Sequence, residues 1–217
     1  MDSVNVLANV ELFQDLSSPL LGEIGEFVVR RHLPSNMVVF LQGDQGGSLY
    51  VVEEGTLKVF IDDEQGNQVI LNLLNPGDCF GELSLLDGGT RSASVVTMTD
   101  TTLTVLAREH FLAFLERHPE AHGAVIRALV RRIRDLTGSV CDLALLDVYG
   151  RVAGLLSRLA NPEDQSIRPR LTHREIASMV GSSREMVSRV MKELSTGGYL
   201  EQAPDALYLR KTLPPGW

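Results

Sequence analysis

The stretch GSSREMVSRVMK, residues 181–192, is spaced so that a helix would put Arg184, Glu185, Ser188, Arg189 and Lys192 outward. Val187, Val190 and Met191, with Leu194 beyond, would face inward. The outward set has a definite chemistry. A guanidinium fork matches the O6 and N7 acceptors of guanine, a carboxylate accepts from cytosine N4, and a serine hydroxyl serves either base. These groups crowd the amino-terminal half of the segment, the part of a reading helix that enters the major groove. A solvated surface helix shows the same residue types singly, so the assignment turns on the elements around them.

Those elements have their own signals. LTHREIASMVGSSREMVSRVMKEL reads as two helices joined by a tight turn. Thr172 caps the first with Glu175 three positions on, and Ser182 with Glu185 repeats the spacing for the second. Ala177 is small where two crossing helices would touch, and Gly181 lies in the turn between them. GGYLEQAPDALYLRK then supplies two short strands, a wing whose Arg210 and Lys211 can reach phosphates.

Charge is distributed to match. The 217 residues carry a net charge of −8, yet residues 1–120 hold 6 basic and 18 acidic side chains (net −12), residues 121–164 hold 6 and 5 (net +1), and residues 165–217 hold 8 and 5 (net +3). Electrostatic screening acts over about 10 Å at moderate salt, so a basic carboxy-terminal face can bind phosphate despite a distant acidic region. The opening MDSVNVLANVELFQDL is not a secretory signal, and no apolar run approaches a membrane span. Cys79 and Cys141 stand alone, as expected of a chain in a reducing cytoplasm.

From Val38 to Leu106 the sequence is strand-like, with glycine-bearing turns at EEGT, EQGN and NPGD, and predicts an antiparallel roll or barrel. Helices are expected over roughly 9–31 and 108–118, and another from about Pro119. There Ile126, Leu129, Ile133, Leu136, Val140 and Leu143 recur at spacings of 3, 4, 3, 4 and 3. So narrow a stripe suits a partner helix better than a broad core, which predicts a homodimer. LLDVYGRVAGLLSRLANPED follows as a turn and an apolar helix ending near Asn161-Pro162. The expected fold is α+β: a β-roll sensor over 1–118, a dimerisation helix over 119–147 and a winged helix-turn-helix over 148–217. No metal spacing, nucleophile–base constellation or P-loop lysine is present, which points away from catalysis.

In this order, and in the stretches GDCFGELSLLDGGTRSASV, LALLDVYGRVAGLL and SSREMVSRVMKEL, the sequence resembles the cyclic-AMP receptor protein and fumarate-nitrate regulator (Crp/Fnr) family of bacterial transcription factors. The resemblance implies a jelly-roll-type cyclic-nucleotide-binding domain whose cassette falls on residues 80–93. Gly81, Glu82 and Leu83 would then line the ligand, with the Glu82 carboxylate on a ribose hydroxyl, and Arg91 and Ser92 would hold the cyclic phosphate. A structural Glu82–Arg91 ion pair in an empty pocket is the alternative. The adenine-contacting pair of the family falls on Leu136 and Thr137; Thr137 keeps a hydroxyl and Leu136 cannot hydrogen-bond. Cyclic AMP is the expected effector. Cyclic di-GMP, for which Arg127, Arg131, Arg132 and Arg134 are available, and action without a nucleotide remain open. No amino-terminal cysteine cluster or paired axial histidines are present, so neither iron–sulfur, haem nor metal is expected. The DNA-contacting set implied is Thr172, Ser183, Arg184, Glu185, Ser188, Arg189 and Lys192, on palindromic half-sites resembling TGTGA with tolerance toward TTGAT. RNA polymerase is an expected partner of an activator. A cyclic-nucleotide-binding regulatory module is the rival without DNA.

Overall fold

The computed structural model describes residues 3–10, 12–63 and 68–214. In chain order these form α1 (Ser3–Ala8), α2 (Ser18–Gly25), β1 (Val28–Leu33), β2 (Val38–Phe40), β3 (Ser48–Glu54), β4 (Leu57–Asp62), β5 (Gln68–Leu74), β6 (Cys79–Phe80) and α3 (Glu82–Asp87). There follow β7 (Ser94–Thr97), β8 (Thr101–Ala107), α4 (Arg108–Arg117), α5 (Ala121–Leu145), α6 (Val148–Leu159), β9 (Ser166–Ile167), α7 (His173–Val180), α8 (Arg184–Thr196), β10 (Leu200–Gln202) and β11 (Leu207–Leu209). Packing divides the chain into two units: Met1–Ile61 with Leu71–Arg134, and Asp62–Ile70 with Asp135–Trp217.

The first unit is built on two four-stranded sheets, ordered β1-β8-β3-β6 and β2-β7-β4-β5. The resolved pairings are antiparallel, with β8 between β1 and β3 and β7 between β2 and β4. Side chains alternate across a strand, and β3 shows why its alternation is faint in the sequence. Tyr50 and Val52 enter one cluster with Leu33, Leu57, Phe80, Val95 and Leu103. Leu49 and Val51 enter a second with Leu7, Phe13, Ile24, Phe111, Phe114 and Val125. Both faces of β3 are buried, so apolar residues run continuously.

Residues 28–31, expected to be helical, are strand. Val28 to Leu33 pair residue for residue with Leu106 to Thr101. β1 is an edge strand whose Val29, Arg30, Arg31 and His32 are all exposed, so it lacks the apolar face that marks a strand in a sequence, and its charges protect the edge. α5 packs on this unit through Ala121, Ala124, Val125 and Ala128, small side chains that let the helix lie close.

In the second unit Tyr149, Val152, Ala153 and Leu156 of α6 recur at helical spacing and are buried together with Ile176, Ala177 and Val180 of α7 and Val187, Val190, Met191 and Leu194 of α8. Asp147 caps α6 by accepting from Gly150 N at 2.7 Å. The wing is a three-stranded sheet, β10-β11-β9. Its third strand went unread in the sequence because two residues carry no period. Among the described residues no helix is long and apolar enough to cross a membrane.

Candidate nucleic-acid interface and anion site

The reading helix begins one residue later than its sequence suggests. Gly181, at φ 61°, closes α7 in the left-handed region, and Ser182 N donates to Ala177 O at 3.1 Å as part of that closure. Ser182 is therefore committed to the end of α7. Ser183 is the cap of α8, its hydroxyl accepting from Met186 N at 3.2 Å. For α7 the expected capping box is present. Thr172 Oγ1 accepts from Glu175 N at 3.2 Å, and Glu175 Oε2 accepts from Thr172 N at 2.8 Å.

Arg184, Glu185, Arg189 and Lys192 are exposed on α8, opposite its buried stripe. Arg189 and Lys192, with Glu193, Thr196 and Gly197, border an open concavity of about 530 Å³. Ser188 differs from these: it is half-buried, and its hydroxyl lies 2.9 Å from His173 Nδ1 at the start of α7. Burial holds the His173 pKa below its ordinary value, and the charges of Arg184 and Arg170 push the same way. On the wing, Arg210 donates to Glu201 at 2.7 Å and lies 4.7 Å from the Tyr208 ring centre. Lys211 donates to Gly197 O at 3.3 Å. Arg168, which the sequence reading did not single out, donates to the Tyr208 hydroxyl at 2.7 Å. Arg151, also missed, donates to Val180 O at 2.9 Å and Leu146 O at 3.0 Å, holding the carbonyl end of α7 against the turn after α5.

In the cassette, Arg91 is 5% exposed. Its guanidinium donates to Gly81 O at 3.1 Å, Ser84 Oγ at 2.8 Å and Ser48 O at 2.9 Å. It lies 4.2 Å from the ring centre of Phe40 and 5.5 Å from that of Tyr50. These bonded oxygens are all neutral, and the buried Nε has no hydrogen-bond partner among the described residues. Burial lowers the Arg91 pKa; Tyr50, Glu82 and Asp44 oppose the shift. Gly81, at φ 83°, is required twice over, because a Cβ there would stand 2.4 Å from Arg91 Nη1 and 2.9 Å from Ser48 O. Glu82 opens α3 and is half-buried, whereas Leu83 and Ser92 are exposed. A cavity of about 90 Å³ lies beside Glu82, walled also by Asn72, Asp78, Cys79, Leu129 and Arg132.

Along α5, Ile133 is 62% and Val140 64% exposed, and Ile126, Leu136 and Leu143 are exposed to similar degrees. Leu129 is instead half-buried against the core of the first unit. Thr137 is exposed on the same helix. Two of the arginines are engaged within the chain: Asp15 accepts from Arg127 at 2.8 Å and lies 3.7 Å from Arg131. The hydrogen bond from Arg127 holds the Asp15 carboxyl below the usual carboxylate range.

A two-sheet roll that buries an arginine, a long helix and a winged helix-turn-helix together define a DNA-binding regulator with a cyclic-nucleotide-type sensor. The comparisons agree. Residues 30–118 match the cyclic nucleotide-binding domain, and residues 150–210 match the Crp-like helix-turn-helix domain. The chain is 36% identical over 202 residues to the cyclic AMP receptor protein of Thermus thermophilus, covering 92% of each. It is 30% identical to the CRP-like cAMP-activated global transcriptional regulator of Mycobacterium tuberculosis, covering 90% of each. Among solved structures, the c-di-GMP-responsive global regulator CLP of Xanthomonas campestris aligns with a TM-score of 0.75 at 28% identity, over 90% of this chain and 100% of that one. The chain belongs to the Crp/Fnr family of transcription regulators.

Proposed function

We propose that two copies of this chain pair through the exposed seam of α5, hold two α8 helices for successive major grooves of a palindromic site, and are controlled by cyclic AMP. The observation that carries the effector is Arg91. Buried charges are normally paired with an opposite charge, yet this guanidinium is bonded to neutral oxygens and its buried Nε–H has no partner among the described residues. Glu82 and Asp44 act on it without bonding it; a cyclic phosphodiester would supply a directly bonded anion, and an arginine fork is suited to receive it. Ser92 adds a hydroxyl and Glu82 a carboxylate for a ribose hydroxyl.

Coupling to DNA follows from where the cavity sits. At about 90 Å³ it is well below the roughly 300–1,000 Å³ of drug-sized ligand sites. Two of its walls, Leu129 and Arg132, belong to α5. Arg91 does not border this space, and a nucleotide reaching from Arg91 past Glu82 into it would press on α5, which continues into the exposed seam. Any ligand that shifts α5 must bind the DNA-competent pose more tightly than the other, and DNA must tighten ligand binding by the same factor. RNA polymerase is the partner this mechanism implies if the protein activates.

Cyclic di-GMP is the second reading, because the Xanthomonas neighbour responds to it. A larger anion needs a wider arginine surface, and here Asp15 already occupies Arg127 and Arg131. Leu136 weighs against tight adenine recognition, since one lost polar contact to a buried base costs about 1–3 kcal/mol. The net reading is cyclic AMP bound with modest affinity. Calorimetry of the full chain with each nucleotide tests it. Binding of cyclic AMP should weaken by more than about a hundredfold in Arg91→Leu, the scale of loss when one partner of a buried charge pair is removed. Binding of cyclic di-GMP alone, or cyclic AMP binding that survives the substitution, would reject the assignment.

A further inference from the structure

By helical phase Ser188 belongs on the reading face of α8. It lies four residues beyond Arg184 and four before Lys192, both of which are exposed, and side chains at that spacing are neighbours on one face. Its hydroxyl is instead engaged, 2.9 Å from His173 Nδ1 on α7, and the residue is half-buried. His173 is placed in turn as the first residue of α7, within the Thr172–Glu175 capping box. With a neutral imidazole, the pair forms one hydrogen bond whichever ring nitrogen carries the proton.

We infer that His173 is a positioning residue for DNA specificity: it keeps the Ser188 hydroxyl off the bases, leaving Arg184, Glu185 and Arg189 to read them. This rests on the assignment of α8 as the DNA-reading helix and refines it. A serine hydroxyl both donates and accepts, so it pairs with several base edges and blunts discrimination. Arg184 and Glu185 each recognise one kind of edge. Sequestering the hydroxyl therefore sharpens the code. On this inference the chain prefers half-sites of the TGTGA type over the TTGAT type.

The test is competitive binding of the full chain to two palindromic duplexes, one of each half-site type, measured by fluorescence anisotropy at one salt concentration, with and without cyclic AMP. Ser188→Ala should leave the preference ratio unchanged within about twofold, because the hydroxyl it removes is not in use. His173→Ala should narrow the ratio by about tenfold, the scale of one freed hydrogen-bonding group. His173→Asn, whose amide can take the place of Nδ1, should restore it. The double variant His173→Ala/Ser188→Ala should also restore it, whereas mere loosening of the helix pair would persist there. A ratio that shifts in Ser188→Ala alone, or stays narrowed in the double variant, would overturn the inference. Retention of neither duplex above random DNA by the unmodified chain would instead reject the DNA-reading assignment, and this inference with it.

Discussion

Two buried or half-buried basic side chains, Arg91 and His173, show how single residues acquire roles here. Arg91 gathers its partners from far along the chain: Phe40, Ser48, Tyr50, Gly81 and Ser84. The sequence marks Arg91 only through the family's cassette, and no local period announces its aromatic and carbonyl cage. His173 and Ser188 were both visible as residues, but their pairing depends on how two helices cross. It carries a pH consequence. Because the folded state holds the His173 pKa below the ordinary value of 6.5, the unfolded chain binds the proton first on acidification. Its contribution to stability is therefore complete above that ordinary value and declines as pH falls through it toward the folded pKa. Urea denaturation at about pH 7.5 and pH 6 should show a drop in the stability of the full chain that is smaller in His173→Asn. An equal drop in both proteins would place the titration elsewhere.

At the level of elements, α7 and α8 were legible because their information is local. The cap residues, the small Ala177 and the four-residue stripe of α8 lie within 25 positions of sequence. β1 was misread for the opposite reason: its evidence is the pairing with β8, some 70 residues away. α3 was not read at all, since six residues opening on a left-handed glycine leave little pattern. The two exposed arginines of α8 carry the sharpest expectation. Arg184→Ala with Arg189→Ala should abolish selective retention of the palindrome, each arginine contributing about 1–3 kcal/mol of base discrimination. Circular dichroism and sedimentation should be unchanged, because neither side chain is buried. For α5, Ile133→Glu places two carboxylates together wherever the seam meets its own copy. Sedimentation should then report a single subunit, and a persisting dimer would move the interface off this face.

For the molecule as a whole, the division of charge read from the sequence sets the acidic roll apart from the basic reading domain, so added salt should weaken DNA retention far more than nucleotide binding. The exposed seam has another consequence. A solitary subunit holds Ile126, Ile133, Leu136, Val140 and Leu143 in water, and burying them against a second copy stabilises only the folded form. If two copies pair as proposed, folding and association form one equilibrium governed by mass action. The thermal midpoint of this protein should rise each time its concentration is increased tenfold, and a midpoint indifferent to dilution would mean that the stripe stays wet.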